Sequence, residues 1–185
     1  MTTKTDTDLM NQVRDGRVGV LGTLFERHHT SLYHFCLRMT GNRQVSEDLV
    51  QDIFMRMLKH RKSFRRDTAF TPWMYRIARN ASIDYLRRAS RAPDAIDEMD
   101  EPVSSGPSVE EQAEQSESAT LLRRALLRLP VDRREVLLLS RYQFKTYEEI
   151  ARSLDCSVSA VKIRAHRAIK QLRKVYQELA QEAST

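Results

Sequence analysis

The stretch FRRDTAFTPWMYRIARNASIDYLRR, residues 64–88, decides the fold because it combines a helical apolar repeat with regularly spaced arginines. Pro72 suits the first turn of a helix, where its missing N–H costs nothing, and Thr71 is a candidate cap. We therefore predict a helix over residues 72–88. At about 100° per residue, one face holds Met74, Ile77, Ala78, Ala81 and Tyr85, and the other holds Arg76, Arg79, Asn80, Ile83 and Arg87. The first face is suited to a core, and the second is cationic.

Aromatic side chains accompany this cationic face. A positive groove attracts phosphates, and rings or amides beside it stack on bases or bond to them, as in proteins that bind an unpaired strand. Trp73, at the edge between the two faces, is the best candidate for stacking. Taken one at a time, Phe64, Phe70, Trp73 and Tyr75 are better explained as core aromatics. The segment as a whole favours nucleic-acid binding.

Near the C-terminus, residues 146–174 have the pattern of a helix-turn-helix. Residues 155–157 form the predicted turn, and Ser157 caps the second helix. Ser159 and Ala160 are small enough to let that helix approach the major groove of DNA closely. The faces left free for DNA carry Lys162, Ile163, Arg164, His166, Arg167 and Lys170. Helix pairs with basic outer faces also occur in proteins that never touch DNA, but together with the segment 64–88 this pattern favours duplex binding.

Charge is distributed unevenly along the 185 residues. Residues 1–91 carry a net charge of +8, residues 92–117 carry −9, and residues 118–185 carry +7. The acidic strip contains Ser and Pro and almost no large apolar residues, as is typical of linkers. We therefore predict an all-α chain of two small basic domains joined by a flexible acidic linker over 92–117. A solvated linker is favoured over a strip that folds back and imitates DNA.

Residues 46–60 form a further amphipathic pattern, which predicts a helix capped by Ser46. Its polar face carries Asp48, Gln51, Asp52, Met55 and Lys59. Acids on this face would repel DNA, so a docking surface for another protein is one interpretation and an ordinary solvated face is the other. A preceding helix over 21–39, with Phe25 in its core face, is expected to end near Gly41.

Several classes of function find no support in the sequence. The N-terminus lacks the pattern of a signal peptide and no apolar run is long enough to span a membrane, so we expect a cytoplasmic protein. Cys36 and Cys156 lie far apart, which indicates no disulfide. The spacing of His28, His29, His34 and Cys36 matches no metal-ligand pattern. Phosphate-binding loops and catalytic motifs are likewise missing. We therefore predict a protein that is not an enzyme and uses no cofactor.

Four segments in this order resemble a known family. They are VSEDLVQDIFMRML (45–58), the opening stretch, LRRALLRLPVDRREVLLLSRY (122–142) and the helix-turn-helix. Together they closely resemble bacterial RNA polymerase sigma factors of the extracytoplasmic-function type, group 4. The resemblance implies a region 2 domain at 1–91 that binds core polymerase and opens the minus-10 element. It implies a region 4 domain at 118–185 that reads the minus-35 element as duplex.

The resemblance also assigns residues. Contacts to the clamp helices of the largest polymerase subunit would come from Asp48, Gln51, Asp52 and Met55. Minus-10 contacts, including capture of a flipped non-template base, would come from Phe64, Asp67, Phe70, Trp73, Arg76, Arg79 and Asn80. Minus-35 contacts would come from Ser159, Ala160, Lys162, Ile163, Arg164, His166, Arg167 and Lys170. Ile163 and Pro72 depart from the residues common at these positions, so Ile163 indicates a thymine methyl contact or an altered target.

The expected partners follow from the same resemblance. They are core RNA polymerase, through its clamp helices and flap, promoter DNA and an anti-sigma factor, with no small-molecule substrate and a monomeric free state. Two other functions stay open at this point: a stand-alone helix-turn-helix regulator and a DNA-cleaving enzyme. The regulator would bind free duplex tightly without polymerase, and the enzyme would cleave DNA with a divalent metal.

Overall fold

A computed structural model describes residues 4–91, 117–140 and 146–183, and every regular element among them is a helix. The first body contains α1 (Asp6–Arg14), α2 (Leu21–Thr40), α3 (Arg43–Lys59) and α4 (Phe70–Ala89). Short 3-10 turns at Val18–Val20 and Arg61–Ser63 connect them. The second body contains α5 (Glu117–Leu127), α6 (Val131–Leu138), α7 (Tyr147–Leu154) and α8 (Val158–Ala183). The predicted all-α fold with two helical bodies is confirmed.

The predicted linker, residues 92–117, lies outside the described residues apart from Glu117, at which α5 begins. No helix in the described ranges is long and apolar enough to cross a membrane. Cys36 is buried and Cys156 is half-buried, and each is a free thiol. Burial raises the pKa of Cys36 to about 12, with Ser82 opposing the shift, so this thiol stays protonated at neutral pH.

The first body is a bundle in which α2, α3 and α4 pack on one another and α1 lies against α2 and α4. Its most deeply buried side chains include Met10, Leu24, Phe35, Ile53 and Met74. Burying each such side chain contributes roughly 1.5–3 kcal/mol to folding. Phe25 was predicted in this core, but it is 36 % exposed: its ring contacts the buried Phe54 at a centroid separation of 5.0 Å and stacks on the ring of His29 at 5.1 Å.

α1 is tied to α2 by charge. The Asp6 carboxylate accepts a hydrogen bond from Arg27 at 2.6 Å, and its second oxygen lies 2.7 Å from Nε2 of His28. Partial burial raises the pKa of Asp6, but the bonds and charges of Arg27 and His28 outweigh it and hold that pKa below its ordinary 3.8. The carboxylate is therefore ionised at neutral pH and attaches the first helix to the second.

The turn between α2 and α3 has the expected glycine but an unexpected cap. Gly41 ends α2 in the left-handed conformation, with φ of 80°. Asn42 then caps α3, since its side-chain oxygen accepts a hydrogen bond from the Val45 amide at 2.9 Å. The prediction of Ser46 as the cap was wrong: Ser46 lies buried within the helix, and its hydroxyl donates to the Asn42 carbonyl at 2.5 Å. α3 consequently begins three residues earlier than predicted.

The start of α4 also differs from prediction. The helix begins at Phe70, its N-cap Ala69 has no capping side chain, and Pro72 lies in the first turn as expected. Thr71 is inside the helix and does not cap it. Instead, the Phe70 amide donates to the hydroxyl of Thr7 in α1 at 3.3 Å. A residue distant in sequence therefore satisfies one of the free N–H groups at this terminus.

The second body contains the predicted helix-turn-helix, α7 and α8. Thr146 caps α7 by accepting from the Glu149 amide at 3.3 Å, and Ser157 caps α8 by accepting from the Ala160 amide at 3.2 Å. Asp155 takes the left-handed conformation in the turn, with φ of 50°. The side chains that fix α8 on the body are Val161, Ala165 and Ala168, all buried. The predicted turn and its cap are confirmed.

Candidate nucleic-acid interface

The outer face of α8 is an exposed basic surface of the second body. The predicted minus-35 residues Ser159, Lys162, Ile163, His166, Arg167 and Lys170 are exposed, whereas Ala160 and Arg164 are half-buried. The buried stripe of Val161 and Ala165 orients this face outward. Within the described residues, no ion pair engages Lys162, Arg167 or Lys170. Their charges are therefore available to an external anion such as DNA phosphate.

Ile163 is the apolar member of this face. Its side chain is 52 % exposed among basic neighbours. Exposure of an apolar branched side chain to water is unfavourable. In a major groove the same side chain can pack against the C5 methyl group of thymine. The combination of cations with one apolar contact is thus suited to reading a duplex rather than only neutralising it.

A cavity of about 360 Å³ lies at the start of α4, in the first body. Its volume lies within the range of small-molecule and base-sized sites. It is lined by Ser63, Arg65, Asp67, Thr68, Ala69, Pro72, Trp73, Arg76 and Arg152. The carboxylate and the three arginines of this lining can hydrogen-bond to the edge of a flat base, and the arginines attract its phosphate. Arg152 comes from α7 of the second body, so both bodies contribute to this cavity.

The aromatic residues assigned to the minus-10 element, among them the stacking candidate Trp73, are buried in this structure. Phe64 and Phe70 are buried, and Trp73 is only 4 % exposed. Phe64 and Trp73 pack edge to face, with ring centroids 5.1 Å apart, and Phe70 packs against His28 at 5.2 Å. At this degree of burial, little of any of the three rings is accessible to a base in this arrangement. Trp73 reaches the cavity as part of its wall, which is a supporting position.

The polar residues of α4 have different environments. Arg76 is exposed, and so is Asn80, whose side-chain oxygen accepts a hydrogen bond from Arg79 at 3.2 Å. Arg79 also donates through Nε to Glu135 of α6 at 2.7 Å. Burial raises the pKa of Glu135 and the charge of Arg79 opposes this shift. In this arrangement Arg76 and Asn80 are accessible, whereas Arg79 is occupied by the second body.

The predicted docking face of α3 is largely open. Asp48 and Gln51 are exposed, and Met55 is 64 % exposed. Asp52 is half-buried because it pairs with Arg56 at 2.8 Å, and Arg56 also reaches Asp84 of α4 at 3.1 Å. An exposed methionine beside an amide and acids is a surface with a partly apolar contact for another protein.

Sequence reasoning missed four residues of these surfaces. Arg65 and Arg152 line the cavity, and Arg134 and Glu135 connect the two bodies. Arg134 and Glu135 of α6 gave no signal in the sequence, because a charged residue at a helical position is usually solvated. Arg65 did give a signal in the sequence, because it lies in the arginine-rich loop of residues 64–71.

Comparisons with known proteins agree with this geometry. Residues 24–92 match Sigma-70 region 2, and residues 119–172 match Sigma-70 region 4. The chain is 33 % identical over 175 residues to the RNA polymerase sigma factor CarQ of Myxococcus xanthus, covering 95 % of this chain and 99 % of CarQ. It is 33 % identical over 152 residues to the ECF RNA polymerase sigma factor SigM of Mycobacterium tuberculosis, covering 82 % of this chain and 74 % of SigM.

The fold is also found in solved structures. A structure of CnrH in complex with the cytosolic domain of CnrY superimposes with a TM-score of 0.70 at 24 % identity, covering 94 % of this chain and 97 % of that one. The sigma factor RpoE in complex with the anti-sigma factor NepR from Bartonella quintana gives a TM-score of 0.67 at 24 % identity, covering 84 % of this chain and 96 % of that one. On the sequence matches, the chain belongs to the extracytoplasmic-function RNA polymerase sigma factors, which act in transcription initiation.

Proposed function

We propose that this chain, as a group 4 sigma factor, binds core RNA polymerase and directs it to promoters that carry a minus-35 and a minus-10 element. The observation that carries the proposal is the outer face of α8, where cations without ion-pair partners in the described residues flank the exposed Ile163. Its domains are residues 1–91 and 118–185, joined by the acidic segment 92–117. Polymerase holds both domains, so neither needs to bind DNA tightly alone.

At the minus-35 element, α8 enters the major groove with its N-terminal half. Lys162 and Arg167 donate to guanine edges, for which bidentate donors are suited, and Ile163 contacts a thymine methyl group. His166 adds a further base contact. Arg164 and Lys170 neutralise phosphates, and Ser159 and Ala160 permit the close approach of the helix.

At the minus-10 element, the cavity at the start of α4 takes one flipped base of the non-template strand. Asp67 bonds to the edge of that base, while Arg76, Arg79 and Asn80 hold the strand beside it. Phe64, Phe70 and Trp73 support the cavity from the core. Contacts to the unpaired base offset the few kcal/mol that unstacking it costs, so opening requires no hydrolysis.

Polymerase binding uses two surfaces. The α3 face of Asp48, Gln51, Asp52 and Met55 meets the clamp helices of the largest subunit, with Met55 as the apolar contact. Region 4 meets the flap. The chain acts as a specificity subunit, with no catalytic step, cofactor or small-molecule substrate of its own.

Regulation involves a protein partner. The solved structures of CnrH and of RpoE hold the cytosolic domain of CnrY and the anti-sigma factor NepR, respectively. By analogy, an anti-sigma factor sequesters this chain in the cytoplasm, where it is otherwise a free monomer.

The test is run-off transcription with purified bacterial core polymerase on a library of promoter fragments, with transcript starts sequenced. Starts that depend on the protein and share two upstream motifs are the expected result. No stimulation of a compatible core by folded protein would overturn the proposal. Tight binding of the free chain to duplex without polymerase would instead favour a stand-alone regulator.

A further inference from the structure

The loop of residues 64–69, which leads into α4, has its side chains in two different surroundings. Arg65 and Asp67 both line the cavity, and their charged groups lie 3.4 Å apart. Arg66, the residue between them, is not among the residues that line the cavity and reaches Asp15 at the end of α1 instead. A tight turn produces this alternation, since the Thr68 amide donates to the Arg65 carbonyl at 3.0 Å.

The ion pair of Arg66 and Asp15 connects the turn to the first helix. One terminal nitrogen of Arg66 donates to both carboxylate oxygens of Asp15, at 3.1 and 2.9 Å. The two side chains are 68 % and 48 % exposed. An exposed ion pair adds little to the free energy of unfolding. The pair therefore bears on where the loop lies more than on whether the domain folds.

The position of Asp15 is unfavourable on local grounds. It is the C-cap residue of α1, where the free carbonyl groups form the negative end of the helix dipole. A carboxylate is disfavoured at that end of a helix, so local preference does not explain an acid here. The contact with Arg66 does explain it, because a cation from 51 residues away faces the carboxylate.

The same loop is fixed at both of its ends. At its start, the ring of Phe64 is buried and packs on Trp73. At its end, the Phe70 amide donates to the hydroxyl of Thr7 in α1 at 3.3 Å. Between these two points, Arg66 attaches the turn to α1. The first helix thus contacts both the middle and the end of the segment that lines the cavity.

We infer that Asp15 is a positioning residue for base selection at the minus-10 element: it holds Arg66 outside the cavity and thereby directs Asp67 into it. This inference rests on the proposed role of the cavity. When a base enters, Asp67 exchanges its contact with Arg65 for one with the base edge, while Arg66 stays on α1. A turn already held in this shape loses less entropy on binding than a free one.

The test uses holoenzymes reconstituted from core polymerase and each variant. The template is a promoter found by the run-off experiment and randomised at its minus-10 element, and sequencing of the transcripts gives the base preference at every position. Asp67→Asn should abolish the preference at one position. Asp15→Asn should reduce the preference at that position alone by about two- to fivefold, which corresponds to the loss of one exposed ion pair.

Glu26→Gln is the matched control, since it removes one acid from an exposed position on α2. It should leave every base preference unchanged. Asp15→Glu keeps a carboxylate within reach of Arg66 and should retain the preference. Asp15→Asn should also leave the thermal unfolding, the core polymerase affinity and the minus-35 preference as in the wild type. A merely structural role of Asp15 would instead lower the melting temperature and affect all promoters equally.

Arg66→Gln shows whether Asp15 acts through the loop. Because the two side chains form one unit, Asp15→Asn should have no further effect on base preference in the Arg66→Gln background. An added loss of the same size as in the wild-type background would overturn the inference, since Asp15 would then act by another route.

Hydrogen–deuterium exchange of the free chain gives a readout that needs no promoter. Peptides covering residues 64–69 should exchange about two- to fivefold faster in Asp15→Asn than in Glu26→Gln, because the Thr68 amide is less protected when the turn opens. Unchanged exchange would refute the positioning of the loop by Asp15.

The two sets of results separate this inference from the proposed function. If Asp67→Asn abolishes a base preference and Asp15→Asn does not reduce it, the inference is refuted and the proposed function stands. If Asp67→Asn leaves every minus-10 preference of the wild type intact, the proposed role of Asp67 fails, and the inference fails with it.

Discussion

Replacement of Arg167 by alanine tests how α8 reads the minus-35 element. Arg167 is exposed, and no ion pair engages it in the described part of the chain. Its removal should therefore change the free energy of unfolding by no more than about 0.5 kcal/mol. A bidentate contact to a guanine is worth about 1–3 kcal/mol. At 1.4 kcal/mol per factor of ten, initiation at a limiting holoenzyme concentration should fall by roughly 5- to 150-fold.

The assay is run-off transcription by the reconstituted holoenzyme on two templates that differ only in the minus-35 element. Wild-type holoenzyme should discriminate between the templates, and the Arg167→Ala holoenzyme should lose most of that discrimination. Lys174→Ala is the matched control, since it removes one positive charge from the same helix at a side chain that is 78 % exposed and pairs with Glu178. The control should keep the discrimination.

The salt dependence of promoter binding distinguishes a base contact from a phosphate contact. Loss of one phosphate contact lowers the salt slope by about 0.9 and weakens all sequences equally. If Arg167→Ala showed only this uniform loss, or if Lys174→Ala reduced discrimination as much, the assignment of Arg167 to base reading would be refuted.

Four further outcomes are expected. Trp73→Ala should lower the free energy of unfolding by about 3–5 kcal/mol in chemical denaturation, because it empties a core site; a loss of opening without destabilisation would contradict its core position. Arg76→Ala should keep stability but reduce permanganate-reactive thymines at the promoter, and normal bubbles would argue against its strand contact. Met55→Ala should weaken core polymerase binding in a fluorescence titration and leave promoter preference unchanged, whereas unaltered affinity would remove it from the docking face. The contribution of ionised Asp6 to stability should be complete above pH 3.8 and decline as pH falls through its lower folded-state pKa; Asp6→Asn should flatten that decline in acid titrations of unfolding.

Helix positions were predictable because they depend on local periodicity. The apolar repeats gave α2, α4 and the helix-turn-helix to within a few residues, and Gly41 and Ser157 ended and began helices as expected. The capping of α3 was not predicted because Asn42 and Ser46 are both good capping residues and local preference alone does not rank them. Only the structure shows Asn42 bonded to the Val45 amide.

The remaining differences come from contacts between distant parts of the chain. Whether an aromatic residue in a basic segment is core or surface depends on what covers it, and the neighbours that bury Phe70 include His28 of another helix. Likewise, Glu135 and Arg79 lie 56 residues apart, so periodicity carries no information on their pairing. The exposed residues of α8 were easier to predict, since the turn and the buried stripe fix their direction.

The hydroxyl of Thr7 has a practical consequence for dissecting this protein. The Sigma-70 region 2 match begins at residue 24, yet Thr7 completes the N-terminus of α4, and Met10 and Val13 fill the same core. A fragment that began at residue 24 would expose that core. It would also leave the Phe70 amide, at the N-terminus of α4 beside the cavity, without its acceptor. Expression designs for an isolated first domain should therefore retain α1, and a shorter fragment that lost strand binding would be reporting a frayed helix rather than a missing DNA contact.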